Sequence, residues 1–320
     1  MKNTIHDIAK RAGVSSATVS RVFNNHPYVK ADIRRRVLEA ARLMNYQPKA
    51  TARRDTISIV VSGTSVMLPG VYERNLVSSL LTVAENLNMN LEFVTVKNIE
   101  RVFQNFSKAV VGMVYNERDI AVLRSLTDIP VMTVNYITPG CSYVCTNHEG
   151  DLHDATEYLI RRGHKRIAIL FQPFTSHFSW GDKARLNGYR RALRENGIPF
   201  RSELTVSGFQ EAPDRFQRLL EREAPDALLA CGESMVLPVL HKLALSGRKV
   251  PDDLSLISYY SPGITPFLLP EPTFIRQDFD SLARSVMETM RALILGETDH
   301  VEVLLKNHFV EGRSVKERAS

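Results

Sequence analysis

The chain has 320 residues, 44% hydrophobic and 24% charged, room for two or three domains with ordinary cores, and its net charge of +6 is unevenly spread. No run of about 18 apolar residues occurs and the start "MKNTIHDIAKR" lacks an apolar leader segment, so neither a membrane span nor secretion is expected. Cys141, Cys145 and Cys231 are odd in number and lack metal-ligand spacing, which points to reduced thiols in a cytoplasmic protein, with no metal and no cofactor expected.

Residues 1–56 hold 12 Lys and Arg against 4 Asp and Glu, a local charge of +8, while everything after Thr56 sums to −2. A polyanion-binding module joined to a neutral body shows this asymmetry, and so does a solvated basic tail. Periodicity decides against the tail. Thr4 and Asp7 stand at capping-box spacing, and Ile5, Ile8, Ala9 and Ala12 follow on one helical face. Gly13 breaks that helix, and Ser15 caps a second whose inward face is Val19, Val22 and Phe23. A third helix fits Asp32 to about Met44, burying Ile33, Val37, Ala40, Ala41 and Met44. Three short helices with a glycine turn between the first two predict an all-α helix-turn-helix domain. Small residues at Ser16 and Ala17 allow close approach to the major groove of an operator duplex, and Arg21 has the fork that matches guanine. Ser15, Thr18, Ser20 and Asn24 suit phosphate contacts that fix register.

After Thr56 the pattern alternates. Apolar runs predict strands at 57–61, 91–96, 110–115, 130–134, 166–171, 226–230 and 254–259. Helical periodicity falls between them at roughly 73–88, 151–162, 183–196, 212–223, 234–246 and 279–295. Such alternation predicts parallel sheets covered by helices on both faces, and the strand count exceeds one comfortable sheet. Two doubly wound α/β subdomains separated by a cleft are expected over residues 57–320, after a DNA-binding domain at 1–56.

The segments "TIHDIAKRAGVSSATVSRVFNN" and "YVKADIRRRVLEAARLMNYQP", followed by Ala52-Arg53, resemble the DNA-binding head of the LacI family of transcription regulators. The body resembles that family's regulatory domain, of periplasmic-binding-protein type, at "ATEYLIRRGHKRIAIL", "ARLNGYRRALRENGIP" and "VPDDLSLIS". The resemblance implies base reading by Ser16, Ala17 and Arg21. It sets Thr4, Ser15, Thr18, Ser20, Asn24 and Tyr46 near the DNA backbone, while Arg53 and Arg54, beside Asp55, read as phosphate or minor-groove contacts without a wedge. It implies a homodimeric repressor that binds a small effector, a sugar or sugar derivative, between two lobes. Lys30 and Ile33 depart from the family pattern in the third helix, and Asp55 stands where the family carries a hinge leucine.

Arg185, three residues before Gly188-Tyr189, sits where the family uses an arginine to fork two ligand oxygens. Glu233, Tyr260 and Ser261 occupy positions where the family more often has short acids, and Tyr259 reads equally as core. Trp180 and Phe178, in "TSHFSWGD", are candidate stacking residues or packing residues. Two rivals remain: a doubly wound enzyme and a solute-binding protein without regulatory role. No phosphate-loop, dinucleotide, nucleophile-elbow or zinc-protease motif supports the first. The basic head argues against the second.

Overall fold

The structure is a computed structural model that describes residues 3–23, 29–44, 46, 56–62, 71–171, 179–207 and 213–318. Its N-terminal head is built from α1 (Ile5–Ala12), α2 (Ser16–Phe23) and α3 (Ala31–Leu43). The Thr4–Asp7 capping box forms as its spacing predicts, with the Thr4 N–H donating to Asp7 Oδ2 at 2.8 Å. That bonding from Thr4 holds the Asp7 carboxyl below its ordinary range. Gly13, at φ 63°, takes the left-handed turn that ends α1, a conformation glycine adopts without steric cost. The carbonyls left over at that turn are taken by Arg36 of α3, whose Nε reaches Ala12 O at 3.1 Å and whose Nη2 reaches Gly13 O at 3.1 Å. Ile8, Val19, Val37 and Ala41, all wholly buried or nearly so, close the small core between the three helices.

The body contains two six-stranded sheets. The first comprises β1 (Thr56–Val61), β2 (Asn90–Thr95), β3 (Ala109–Met113), β4 (Val131–Val134), β5 (Ser142–Thr146) and β11 (Glu302–Leu305), in the order β11-β5-β4-β3-β1-β2 and parallel throughout. The second comprises β6 (Ile167–Phe171), β7 (Thr205–Ser207), β8 (Ala227–Cys231), β9 (Ser255–Tyr259), β10 (Thr273–Arg276) and β12 (His308–Val310), in the order β12-β10-β9-β8-β6-β7, with only β12 antiparallel.

Each sheet is covered on both faces, and the period-2 alternation of a strand assigns its residues. Ile57, Ile59 and Val61 of β1 face the core shared with α4 (Val71–Asn86) and α11 (Phe279–Leu295). Val60, between them, faces the core formed with α5 (Arg101–Gln104) and α6 (Glu117–Arg124). In the second sheet, Ile167, Ile169 and Phe171 of β6 face α7 (His148–Arg161) and α8 (Trp180–Glu195). Ala168 and Leu170 face α9 (Pro213–Arg218) and α10 (Val236–Leu245). Gly188 lets α8 lie on α7, since a Cβ there would stand 2.0 Å from Glu149 O.

Three connections join the lobes: β5 to α7, β10 to α11, and β11 to β12. Two of them carry buried polar ties, Asn307 to Asp151 Oδ2 at 2.6 Å and Gln277 to Glu233.

The strands at 142–146, 205–207, 273–276, 302–305 and 308–310 and the helices α5 and α6 escape the periodicity reading. β7, β10, β11 and β12 have only three or four residues each, too few for periodicity to register. The predicted helix at 212–223 is a shorter α9 running into a π-helical turn over 219–223. Among the described residues, no helix is long and apolar enough to cross a membrane.

Candidate DNA-reading helix and interlobe site

Helix α2 presents the residues that the sequence assigns to DNA. Ser15 caps it, accepting from the Thr18 N–H at 3.1 Å, and the two hydroxyls lie 2.8 Å apart. Val19 and Val22 turn inward while Ala17 and Arg21 are exposed and Ser16, Thr18 and Ser20 are half-buried. Ser16 Oγ is 3.0 Å from His6 Nδ1, a partner not foreseen from spacing. Thr4 is exposed at the start of α1. Tyr46 stacks on Phe23 at 5.6 Å, so its ring also belongs to the head's packing. Lys30 precedes α3 without a side-chain cap. Asn24, Arg53, Arg54 and Asp55 lie outside the described residues.

The head touches the first lobe. Phe106, on the turn after α5, packs edge-on against Phe23 with ring centroids 5.2 Å apart. Arg42 Nη1 meets Asp128 at 2.6 Å, and its guanidinium stands 5.8 Å from the Phe103 ring.

Between the lobes, the carboxyl ends of the parallel strands face one another, where ligands collect in folds of this type. Arg185 is at the centre. A capping box at Ser179 and Asp182 starts α8, with Asp182 N–H donating to Ser179 Oγ at 3.1 Å. The other Asp182 oxygen accepts from Arg185 Nη1 at 3.2 Å. Arg185 Nε donates to the Tyr259 hydroxyl at 3.1 Å, and Nη2 lies 3.4 Å from His148 Nδ1. Burial, with repulsion from Arg185, holds His148 well below its ordinary pKa, so its imidazole is neutral and its Nδ1 can accept. Trp180 tilts over His148 at 5.9 Å and over Tyr136 of the first lobe at 6.0 Å.

The first lobe completes the layer with Tyr72 and Glu73 at the start of α4, Tyr115 after β3, and Asn135 after β4. Asn135 Oδ1 accepts from the Thr146 N–H at 2.7 Å and its Nδ2 donates to the Tyr72 hydroxyl. Glu233, 8% exposed, follows β8 and accepts from Gln277 Nε2. Burial raises the Glu233 pKa, with repulsion from Glu73 adding to it and Arg185 and Gln277 opposing. Burial raises the Glu73 pKa as well.

Of the residues assigned from sequence, Arg185, Glu233 and Trp180 come together in this layer. Tyr260 turns its ring onto Phe274 at 4.9 Å, and it is Tyr259 that bonds Arg185. Adjacent residues leaving a strand point to opposite faces, so only one of the pair can meet α8. Ser261 is buried, its N–H donating to Thr265 Oγ1 at 2.8 Å. Phe178 lies outside the described residues. His148, Asn135, Glu73, Tyr115 and Gln277 were not legible as site residues, because each stands singly at a strand end or helix start without a spacing signature.

A helix-turn-helix head followed by two α/β lobes with a polar layer between them is the architecture of a DNA-binding regulator with a separate body domain. Comparison with known proteins places it further. Residues 4–49 match the description "Bacterial regulatory proteins, lacI family", and residues 156–315 match "Periplasmic binding protein-like domain". The chain belongs to the LacI family of transcription regulators. It is 27% identical to Catabolite control protein A of Priestia megaterium, over 98% of this chain and 99% of that one. It is 29% identical to the HTH-type transcriptional repressor PurR of Haemophilus influenzae, over 93% of each. Among solved structures it is similar to the transcriptional regulator CelR in its cellobiose complex, with TM-score 0.71 and 25% identity over 98% of this chain and 100% of that one. The lac repressor dimer bound to operator and the anti-inducer ONPF shares the fold, with TM-score 0.71 and 24% identity over 99% of this chain and 100% of that one. Its relatives are transcriptional repressors and not enzymes, which removes the enzyme alternative.

Proposed function

We propose that this protein is a homodimeric repressor whose operator affinity is set by a small polyhydroxylated effector, of sugar class, bound between the lobes at Arg185. Residues 1–56 act as the DNA-binding domain and residues 57–320 as the effector-binding body. The observation that carries this reading is Arg185 itself. Its guanidinium is held on three sides by Asp182, Tyr259 and His148, at the strand ends where the two lobes meet. A fixed fork of this kind suits paired ligand oxygens. Glu233 and Trp180 lie in the same layer, whereas Tyr260 packs on Phe274 and Ser261 bonds Thr265. The reading is supported by the structural similarity to the transcriptional regulator CelR in its complex with cellobiose. Effector binding biases open against closed lobes, and the lobes set the spacing of two heads whose half-site centres lie about 34–36 Å apart or a multiple of that.

A thermal-shift screen of sugars and sugar derivatives against the full chain tests this, because a ligand specific to the native state stabilises it by mass action. Hits should lose their effect in Arg185→Ala, and should change operator affinity in a gel-shift titration. Hits that stabilise Arg185→Ala equally would place the effector elsewhere.

A further inference from the structure

Further along α7 and α8 than the interlobe layer, the two helices bring a histidine and two glutamates together. His153 and Glu157 stand one turn apart on α7, and Glu195 reaches them from the end of α8. One ligand atom from each, an imidazole nitrogen and two carboxylate oxygens, lie within 4.8 Å of one another. Helix packing fixes this convergence. Gly188, about two turns before Glu195 on α8, lies so close to α7 that a Cβ there would stand 2.9 Å from the His153 backbone nitrogen. No side chain separates the helices at that level, so Glu195 is held over the face of α7 that carries the other two.

The imidazole is aimed as a metal ligand is. Its Nε2 lies 2.7 Å from Glu195 Oε2, and its Nδ1 lies 3.2 Å from Asp154 Oδ1. A carboxylate on the far nitrogen, fixing tautomer and ring orientation, is the partner that metal-ligating histidines almost always have. The glutamates are steadied through their other oxygens. Asn196 Nδ2 donates to Glu157 Oε1, while Glu157 Oε2 meets the exposed Arg161 at 3.5 Å. Arg191 Nε lies 3.8 Å from Glu195 Oε1, which leaves Oε2 turned to the histidine. Two carboxylates and a neutral imidazole together carry the charge that a divalent cation cancels. The imidazole selects zinc and its neighbours over magnesium and calcium, which take oxygen sets. Zinc bonds of about 2.0–2.2 Å are reached by shifts of about an ångström in three side chains.

We propose that His153, Glu157 and Glu195 form a zinc site, with water in the fourth position. The ion takes the place of the proton between His153 Nε2 and Glu195 and ties the end of α8 to α7, the helices that carry Arg185 and His148 into the interlobe layer. The sequence conceals the set, because Glu195 stands 42 positions from His153 and no ligand spacing registers.

Calorimetric titration of the chelator-treated full chain with zinc chloride tests it, with magnesium chloride as the control. One equivalent of zinc should bind with a Kd of about a micromolar or tighter, and magnesium should not compete. His153→Gln, Glu157→Gln and Glu195→Gln should each weaken binding at least about tenfold. Asp154→Asn, which leaves all three ligands in place but loosens the ring, should also cost about tenfold. Cobalt(II) in place of zinc should give a visible spectrum without a thiolate charge-transfer band, which separates this site from the buried Cys141, Cys145 and Cys231. That spectrum is taken on the parent protein, so it decides the ligand type even where a variant fails to fold. Zinc that binds only at millimolar concentration, binds His153→Gln as well as the parent, or gives cobalt a thiolate band overturns the proposal and leaves the cluster a plain ion-pair network.

Discussion

The ring of Phe106 in the first lobe lies 5.2 Å from the ring of Phe23 at the end of α2, the candidate DNA-reading helix. Phe106 holds this place at φ 55°, a left-handed conformation that a side chain of its size rarely adopts. A strained backbone that points an aromatic ring at the head couples lobe and head by packing. The nearby Arg42–Asp128 pair, exposed at both ends, adds little. Phe106→Ala should therefore weaken head docking by about 1–2 kcal/mol. Hydrogen exchange in α1–α3 of the full chain reads this out, with faster exchange expected there and none in the second lobe. Unchanged exchange in the head would show that the two rings merely touch.

Arg21 is exposed on α2, between the buried Val19 and Val22. Arg21→Ala should cost about 1–3 kcal/mol on a selected operator and relax specificity at one base position. Affinity should fall steeply with salt in both proteins, because phosphate contacts release counterions whatever base is read. Selection of binding sites from random duplexes, followed by titration of each variant, measures both. An unaltered preference would move base reading away from Arg21.

Asp151 lies near the joint between β11 and β12, where Asn307 donates to it at 2.6 Å. Burial outweighs the opposing help of Asn307 and Arg185 and raises its pKa from 3.8 to about 6. An acid whose folded pKa is raised keeps its proton in the fold while the unfolded chain loses it. Stability attached to that proton is full below about pH 4 and is lost as pH rises through about 6. Asp151→Asn, which keeps an acceptor for Asn307, should raise stability at pH 7.5 by up to about 3 kcal/mol and by much less at pH 4.5. Urea denaturation at the two pH values checks the sign. An equal effect at both would mean that the carboxyl ionises as freely in the fold as outside it.

β1 begins at Thr56, and Asp55 stands directly before it in the sequence. Relatives in the LacI family carry a leucine where Asp55 stands, and apolar insertion is what offsets the few kcal/mol of unstacking at a kinked base step. An acid cannot supply it and is repelled by phosphate. We expect the operator to be bent weakly or not at all, and Asp55→Leu to increase the bend. Circular-permutation gel shifts on a selected operator measure the angle, and a sharp central kink with the parent protein would overturn the expectation.

Local rules in the sequence determined the head almost residue by residue. A capping box at Thr4 and Asp7, a glycine with left-handed φ and a 3.6-residue apolar period involve neighbours a few positions apart, so their physics is complete within a short window. The long buried strands β1, β3, β6, β8 and β9 were legible for a related reason, since a strand covered on both faces is apolar without interruption. Short strands such as β10, β11 and β12 have too little pattern to register, and they exist because a neighbouring strand offers its free edge. The interlobe layer was decided by tertiary structure alone. Arg185 meets Tyr259 across 74 positions, and Gln277 meets Glu233 across 44. Which of Tyr259 and Tyr260 faces α8 depends on the last residue's register in β9, which an isolated "SYYS" leaves undetermined. Charge shows the same division. Composition revealed the basic head because that excess is a sum over neighbours, whereas Asp151, Asp182 and Glu233 come under the influence of one arginine, Arg185, only in the folded chain.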